Sequence, residues 1–181
     1  TIPFDITGES IKDHLLPRLQ LITDRIDVLI HNAGLLINKP FEEITAEELY
    51  AVYETNVLAP FRLTQQLLPY LKKSAQAHIV HISSMGAVQG SAKFAGLSAY
   101  SSSKAALANL TEMLAEELKP FNIKANCLAL GAAQTEMLEN AFPGYRAPLT
   151  AAQMGNFVAW FAINGQQFFN GKILPVALST P

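Results

Sequence analysis

The sequence is poor in cysteine, in charge and in long apolar runs, and each shortage excludes a class of protein. The single cysteine, Cys127, excludes an internal disulfide and a cysteine-rich zinc site. Only 15% of the residues are charged and the basic ones form no cluster, so nucleic acid and anionic membrane surfaces are poor partners. No apolar run reaches the length of a bilayer-spanning helix. These absences predict a soluble, cytoplasmic protein that binds neither nucleic acid nor membrane.

Apolar residues, in contrast, are abundant. Half of the 181 residues are hydrophobic, and the net charge is −2 with the histidines neutral. This composition argues against disorder, and the length is that of a single domain with a sizeable core. The histidines show no metal-ligand spacing, so we interpret them as structural or solvated and expect no metal; they are His14, His31, His78 and His81.

Short β-branched runs alternate with longer helical patterns, which predicts βαβ units around a parallel sheet. The strand-like runs are TIPFDIT at the start, DVLIHNAG, HIVHIS, NIKANCLALG and GKILPVAL. Pro175 places the last of these at a sheet edge. Helical patterns cover 9–22, 45–73, 98–119 and 150–163. The second opens with a capping box from Thr45 to Glu48, and Pro60 predicts a kink within it.

The helical pattern at 98–119 carries Tyr100 and Lys104, four residues apart, on the face predicted to pack against the sheet. A nearby ammonium favours the phenolate and lowers the pKa of a tyrosine from about 10, whereas burial opposes that change. A phenol tuned in this way can exchange a proton with a carbonyl or alcohol oxygen. Because a Tyr-x-x-x-Lys pair also arises by chance, the pair alone does not establish a site.

A second apolar stripe on the same helix consists of Ala99, Ala106, Leu110 and Met113. A helix that is apolar on two sides contacts a partner with each. The stripe is compatible with a second subunit and equally with another element of the same chain.

Further motifs flank the tyrosine–lysine pair in order along the chain: HNAG at 31–34, NVLAPF at 56–61, HISSMG at 81–86 and LGAAQT at 130–135. Together with the pair, this ordered set resembles the short-chain dehydrogenase/reductase family, whose members transfer hydride between NAD or NADP and a carbonyl or alcohol. The resemblance covers essentially the whole chain. It implies an α/β fold with a Rossmann-like, doubly wound parallel sheet.

The resemblance also implies catalytic roles. Tyr100 matches the family's acid/base, and Lys104 matches the residue that lowers the pKa of that tyrosine and holds the nicotinamide ribose. Ser84, chosen over Ser83, matches the serine that hydrogen-bonds the substrate oxygen. Asn56 matches the residue that keeps a water in a proton relay behind the lysine.

The cofactor-binding residues implied by the resemblance are Asp5, Asn32, Ala33, Gly34, Tyr100, Lys104, Gly131 and Thr135. Each of the polar and glycine residues also has a structural alternative. A glycine after a strand can serve only a turn, a serine at a strand end can serve only as a cap, and a buried asparagine can serve only the backbone.

The sequence departs from the family pattern at three places. Leu130-Gly131 replaces an expected Pro-Gly, and the interval from Ser84 to Tyr100 is longer than usual, so 86–97 is a candidate specificity loop. No glycine-rich turn precedes Asp5, so 1–181 is expected to be a partial domain that lacks the first βαβα portion. The strand DVLIHN would then have an unpaired apolar edge. Taken alone, such a chain is expected to bind the cofactor weakly and to be inactive.

The sequence therefore predicts an NAD- or NADP-dependent oxidoreductase that acts on a small-molecule carbonyl or alcohol, with Tyr100 as acid/base. A homo-oligomer formed through the helices at 98–119 and 45–73 is expected. The alternative is a non-catalytic association module that keeps the same fold. The substrate and the choice between NAD and NADP are not fixed by these motifs. Apolar residues in 131–164 are candidates for a pocket wall or for the core; they are Met137, Leu138, Phe142, Phe157, Trp160 and Phe161.

Overall fold

The computed structural model describes residues 1–178. Its strands are β1 (Val28–His31), β2 (Ala77–Ser84), β3 (Ile123–Leu130), β4 (Ala133–Gln134), β5 (Leu149–Thr150) and β6 (Ile173–Val176). Four of them form one parallel sheet in the order β1-β2-β3-β6, and β4 pairs with β5 in a separate two-stranded ribbon.

The α-helices are α1 (Leu16–Gln20), α2 (Ala46–Tyr53), α3 (Ala59–Leu71), α4 (Ser98–Glu117), α5 (Glu136–Ala141) and α6 (Ala151–Asn164). A π-helical turn, Ile11–Leu15, leads into α1, and a second, Glu54–Leu58, joins α2 to α3. Within residues 1–178, no helix is both long and apolar enough to cross a membrane.

The two faces of the sheet are covered by different helices, as in a doubly wound fold. On one face, Leu71 of α3 and Ala115 of α4 pack with Ile79 and Ile123 of the sheet. On the other face, Phe161 of α6 packs with strand residues that include Val80 and Leu128. Each such large apolar side chain contributes about 1.5–3 kcal/mol on full burial. The predicted α/β class, with helices on both sides of a parallel sheet, is confirmed.

Local signals in the sequence account for most element boundaries. The predicted capping box is present, with the Thr45 hydroxyl accepting from the Glu48 N–H and the Glu48 carboxylate accepting in return. A second one, Thr150 with Gln153, opens α6. Pro60 lies in the first turn of α3, directly after the π-helical turn, so the irregularity predicted there is confirmed. Pro175 lies on β6, an edge strand, as its missing N–H requires.

The strand predicted for TIPFDIT is wrong. Residues 1–7 make no strand pairing, and the chain turns at Asp5 instead. The Asp5 carboxylate accepts from the Thr7 N–H at 2.8 Å and from the Thr7 hydroxyl at 2.7 Å. An aspartate that binds the backbone two residues on favours a turn over an extended strand. In the described part of the chain, β1 pairs with β2 alone, so its other edge is open, as predicted for DVLIHN.

Candidate active site

The carboxyl ends of the central strands and the start of α4 meet at one edge of the sheet. β2 ends at Ser84, which lies in register with Leu130 at the end of β3. α4 begins at Ser98 and contacts β2, β3 and the short 3-10 turn Met85–Ala87 that follows β2. The first turns of α4 therefore carry Tyr100 and Lys104 to the edge at which open α/β sheets bind ligands.

Lys104 is an almost fully buried cation. Its side chain is 3% exposed, and its ammonium donates to the Ile82 carbonyl oxygen at 2.7 Å. The nitrogen lies 5.9 Å from the centroid of the Tyr100 ring. Burial lowers the pKa of Lys104 to about 8, because the charged form is poorly solvated there.

Tyr100 is half-buried, and Ser84 lies near enough to its phenol to lower the pKa of that group slightly. Burial raises the pKa of Tyr100 above its ordinary value, and the effect of Ser84 only partly offsets that rise. The expected net lowering of this pKa is therefore wrong for the protein alone, because burial of the phenol outweighs the opposing effects. Tyr100 is a neutral phenol at physiological pH, the form that donates a proton.

The two serines at the end of β2 differ in their surroundings. Ser83 is buried, and its hydroxyl donates to the Lys104 carbonyl oxygen at 2.9 Å, which ties β2 to α4. Ser84 is half-buried and close to the phenol, and its oxygen also accepts from the Gly86 N–H at 3.2 Å. Ser84 is thus the one placed beside Tyr100, whereas Ser83 fixes the helix.

Asn56 lies in the π-helical turn and is completely buried. Its side-chain oxygen accepts from the Leu35 N–H at 2.8 Å, and its amide nitrogen donates to the Leu35 carbonyl at 2.9 Å. The same nitrogen donates to the Ser103 hydroxyl at 2.9 Å, and Ser103 donates to the Tyr100 carbonyl at 2.7 Å. The side chain therefore clamps the segment after β1 to α4. No local pattern indicates Leu35 or Ser103, since the contacts of both depend on long-range packing.

The Asn-Ala-Gly turn follows β1 and approaches Lys104 at Gly34. A Cβ added at Gly34 would lie 3.2 Å from the Lys104 ammonium and 3.4 Å from the Asn56 side-chain oxygen. Asn32 and Ala33 are exposed beside it. The structure thus brings Gly34, Asn56 and Lys104 together, and a side chain at position 34 would crowd the ammonium.

The remaining predicted cofactor residues have clear local roles. The Gly131 N–H donates to the Val176 carbonyl at 2.9 Å, and a Cβ there would come within 2.6 Å of the Ala177 Cβ, so the strand ends require glycine. Thr135 caps α5 by accepting from the Leu138 N–H at 3.3 Å. The side chain and backbone of Asp5 form their hydrogen bonds within 5–9, and none of these bonds reaches the Tyr100 site.

With this geometry in place, the comparison with known proteins decides the family. The sequence matches the short chain dehydrogenase family over residues 1–146. The chain belongs to that family. The chain is 36% identical over 137 residues to ketoacyl reductase HetN of Nostoc sp., a match covering 75% of this chain and 47% of that protein. It is 32% identical over 135 residues to cyclopentanol dehydrogenase of Comamonas sp., covering 75% and 53% respectively. The chain thus spans about half the length of these curated relatives.

Solved structures support the same conclusion about the dehydrogenase fold. A short chain dehydrogenase of Escherichia coli complexed with NADPH superposes with a TM-score of 0.84 at 31% identity, covering 95% of this chain and 72% of that one. A 3-ketoacyl-(acyl-carrier-protein) reductase of Brucella melitensis complexed with NADH superposes with a TM-score of 0.83 at 24% identity, covering 97% and 75%. The family and fold predicted from the ordered motifs are confirmed.

A buried pair of histidines lies beneath Lys104, and the sequence did not indicate it as a pair. His31 and His81 are register partners on β1 and β2, and their rings stack with centroids 4.9 Å apart. The Thr111 hydroxyl donates to the Leu107 carbonyl at 3.0 Å, so its oxygen can only accept from His81 Nδ1 at 2.8 Å. His81 therefore carries its proton on Nδ1, and its buried Nε2 has no protein partner. The parallel register of the two strand motifs was the signal that could have located the pair.

The apolar residues of 131–164 divide between core and surface. Phe161 is buried at 2% exposure, and Phe157 packs against the same cluster, so both belong to the core. Trp160 is exposed, whereas Met137 lines a cleft of about 410 Å³ between α5 and the segment after β1. Of this group, Met137 is the residue placed to contact a ligand above Gly34.

The residues present fit one end of a nicotinamide dinucleotide. The space that a Cβ would fill at Gly34 lies directly over the Lys104 ammonium, which has two further protons besides the one given to Ile82. A cationic donor above a backbone without a side chain suits the hydroxyls of a ribose. Gly34 and Lys104 are the residues that fit the ribose, and the cleft of about 410 Å³ lies next to Gly34.

Replacing Lys104 by methionine is expected to raise the free energy of unfolding at pH 7 by up to ~3 kcal/mol. Because the folded-state pKa lies near 8 and the ordinary value near 10.5, the wild-type chain gains stability between those pH values as pH rises. The variant should not show that gain. Urea unfolding at pH 7 measures the change in unfolding free energy, and a second measurement at pH 10 shows whether the gain in stability with rising pH is lost. Lys172→Met, on an exposed residue, is the matched control, and a destabilised Lys104→Met would contradict the assigned burial cost.

Proposed function

We propose that this chain carries the catalytic half of an NAD- or NADP-dependent oxidoreductase that interconverts a carbonyl and an alcohol. The observation that carries the proposal is the arrangement of Tyr100 between the Ser84 hydroxyl and the buried Lys104 ammonium at the carboxyl edge of the sheet. Family membership supports the reaction class, and the NADPH-bound relative supports the cofactor.

In this proposal each residue has a distinct task. Ser84 orients the substrate oxygen by hydrogen bonding, and Tyr100 transfers its phenolic proton to that oxygen. Lys104 holds the ribose hydroxyls and favours the phenolate that proton transfer leaves behind. The nicotinamide supplies or accepts the hydride when the cofactor is bound.

Asn56 acts in this scheme as a positioning residue. Its side-chain amide is engaged with Leu35 and Ser103, so it holds the Gly34 turn and α4 in register rather than contacting the substrate. Asn32, Ala33 and Gly34 line the cofactor, and the edge formed by Gly131 and Thr135 contacts its nicotinamide end.

The protein is further proposed to form a homo-oligomer through the surfaces of α2, α3 and α4. Apolar side chains remain exposed on α3, on α4 and on the π-helical turn before α3, including Phe61, Met113 and Leu58. In the second stripe predicted for α4, Ala99 is buried, whereas Met113 is half-exposed, so the outer part of the stripe is the part free for a second subunit.

The proposed reaction is tested by following deuterium from 4-deuterated NADPH or NADH into a ketone. The protein should deliver deuterium to the carbonyl carbon with a single stereochemical preference, because Tyr100 and Ser84 approach the oxygen from a fixed side. Mass spectrometry and chiral chromatography of the alcohol measure this. Cofactor binding without transfer to any ketone or from any alcohol would favour the non-catalytic association module instead.

A further inference from the structure

The Ser84 side chain is held by the short turn that follows it. Its oxygen accepts from the Gly86 N–H at 3.2 Å, within the 3-10 turn Met85–Ala87. That bond occupies a lone pair of the oxygen and leaves the hydroxyl hydrogen to be donated elsewhere. A hydroxyl that accepts one hydrogen bond also becomes a stronger donor. The turn therefore orients Ser84 and strengthens the donor that it offers near the Tyr100 phenol.

Oxygen atoms of this turn and of the loop after it converge on one cation, Lys93. The Lys93 ammonium donates to the Gly86 carbonyl at 2.8 Å and to the Val88 carbonyl at 2.6 Å. It also donates to the Ser91 hydroxyl at 2.8 Å, and the three contacts use its three protons. Within residues 1–178, no carboxylate forms an ion pair with Lys93. The cation therefore serves the loop itself and is not free for an anionic ligand.

Ser91 closes the same set of contacts from the other side. Its hydroxyl can donate its single hydrogen to the Met85 carbonyl at 2.6 Å or to the Val88 carbonyl at 2.8 Å. The Val88 N–H donates to the Met85 carbonyl at 3.1 Å. These residues surround the ammonium with hydrogen bonds that tie the turn to the loop. We name them, with Gly86, the Lys93 cluster.

The main chain on either side of the cluster is also held in place. A Cβ added at Gly86 would lie 2.8 Å from the Ser101 hydroxyl, so the turn packs tightly against the start of α4. Further along the chain, the Lys39 N–H donates to the Gly96 carbonyl at 3.0 Å. A Cβ at Gly96 would lie 2.0 Å from the Asn38 side-chain oxygen, so the two segments cross closely there. This crossing fixes the main chain beyond the lysine.

The exposure of Lys93 decides what the loss of its ammonium would do. Because the side chain is exposed, water can replace it as the partner of each carbonyl, and the fold as a whole should keep its stability. Separate water molecules do not tie the oxygen atoms to one another, so the turn would open more readily. Local opening of an exposed loop leaves the core intact. The affected group is the Gly86 N–H, and through it the direction of the Ser84 hydroxyl.

We propose that Lys93 is a positioning residue for the reaction, because it holds the turn that directs the Ser84 hydroxyl to the substrate oxygen. The inference rests on the proposed function for the task of Ser84. In this scheme Lys93 contacts neither the substrate nor the cofactor. Its effect on the reaction therefore passes entirely through Ser84.

The proposal is tested by a double-mutant cycle between Lys93→Met and Ser84→Ala. The cycle uses cyclohexanone or 2-octanone, whichever the wild type reduces faster, with NADPH. Ser84→Ala should lower kcat by about 10²–10³-fold, the usual loss for one donor to a developing oxyanion. Lys93→Met should lower kcat by about tenfold, because misplacing a reacting group by about 1 Å costs up to about 10²-fold. In the Ser84→Ala background, Lys93→Met should cause no further loss.

Two further variants separate the hydrogen bonds of the ammonium from general effects of the substitution. Lys93→Arg keeps the charge, and its planar guanidinium can serve two of the three acceptors, so kcat should return to within about threefold of wild type. Lys73→Met is the matched control, because Lys73 is exposed and pairs with Asp24 at 3.4 Å at the end of α3. The control should leave kcat unchanged. Urea unfolding should give the same free energy for Lys93→Met and Lys73→Met.

Hydrogen exchange at the Gly86 amide measures the effect of Lys93 on the turn independently of catalysis, and it should be faster in Lys93→Met than in wild type. Unchanged exchange, normal kcat in Lys93→Met, or a loss that persists in the Ser84→Ala background overturns the role of Lys93 and leaves the proposed function standing. If the wild type reduces no ketone, the proposed function falls and the role of Lys93 in it falls too. Faster exchange at Gly86 would then still support the hold of Lys93 on the turn.

Discussion

Tyr100→Phe is expected to lower kcat by about 10²–10⁴-fold, the usual contribution of a positioned general acid. The substitution removes the phenolic oxygen near Ser84 and leaves the ring, whose centroid lies 5.9 Å from the Lys104 ammonium. KM should change little, because the ring and the apolar contacts of the substrate are retained. Steady-state kinetics at pH 7, with circular dichroism to verify the fold, measure the effect.

Tyr53→Phe is the matched control for this experiment. Its hydroxyl donates to the Ser102 hydroxyl at 3.0 Å on the exposed side of α4, away from the Tyr100 phenol. The control should keep kcat within about twofold of wild type, as expected for a surface change of small energy. Equal losses in the two variants, or near-normal turnover in Tyr100→Phe, would remove Tyr100 from the role of proton donor.

Mild acid is expected to destabilise the folded chain, and the histidines beneath the site are the cause. Burial lowers the pKa of His31 to about 4 from an ordinary value of 6.5, and burial with the neighbouring His31 and Lys104 lowers that of His81 well below the ordinary value. Between pH 4 and pH 6.5, His31 is therefore mostly neutral in the folded state and mostly protonated in the unfolded state, so the folded state binds fewer protons. The free energy of unfolding therefore falls as pH falls from 6.5 towards 4, by ~3 kcal/mol for His31 alone.

Urea unfolding at pH 7.5, 6.0, 5.0 and 4.5 measures this loss. His31→Gln can keep a hydrogen bond to the Thr64 hydroxyl and removes the titration, so its unfolding free energy should depend less on pH than that of wild type. His14→Gln is the control, because His14 is exposed and pairs only with Glu9 at 3.5 Å. A pH dependence that is the same in all three proteins would show that carboxylates, not the buried histidines, control acid stability.

Short-range signals predicted most of the fold. The strands at 77–84 and 123–130, the helix at 98–117 and the capping box at Thr45 depend on side-chain alternation, helical periodicity and hydrogen bonds within one turn. TIPFDIT failed because its β-branched residues resemble a strand, whereas Asp5 binds its own backbone and turns the chain. Sequence alone weighs propensity without knowing whether a partner strand is present.

The candidate site was only partly predictable. Motif order indicated Tyr100, Lys104 and Ser84, which all lie at the ends of regular elements. The direction of the Tyr100 pKa was wrong because it depends on how deeply the folded chain buries the phenol. The Asn56 clamp on Leu35 and the Gly96 crossing with Asn38 join segments far apart in the chain, and no local pattern encodes either.

The π-helical turn at 54–58 has a consequence for how this protein can change over evolution. Such a turn is equivalent to one extra residue inserted into an α-helix, and each inserted residue rotates everything beyond it by about 100°. Val52 before the turn and Leu67 beyond it are both buried. Loss of a single codon in 54–58 would restore a regular helix and rotate Leu67 out of the core while withdrawing the amide that holds Leu35. Gene variants with a one-codon deletion there should therefore be purged, whereas length-preserving substitutions at the exposed Leu58 are open to drift.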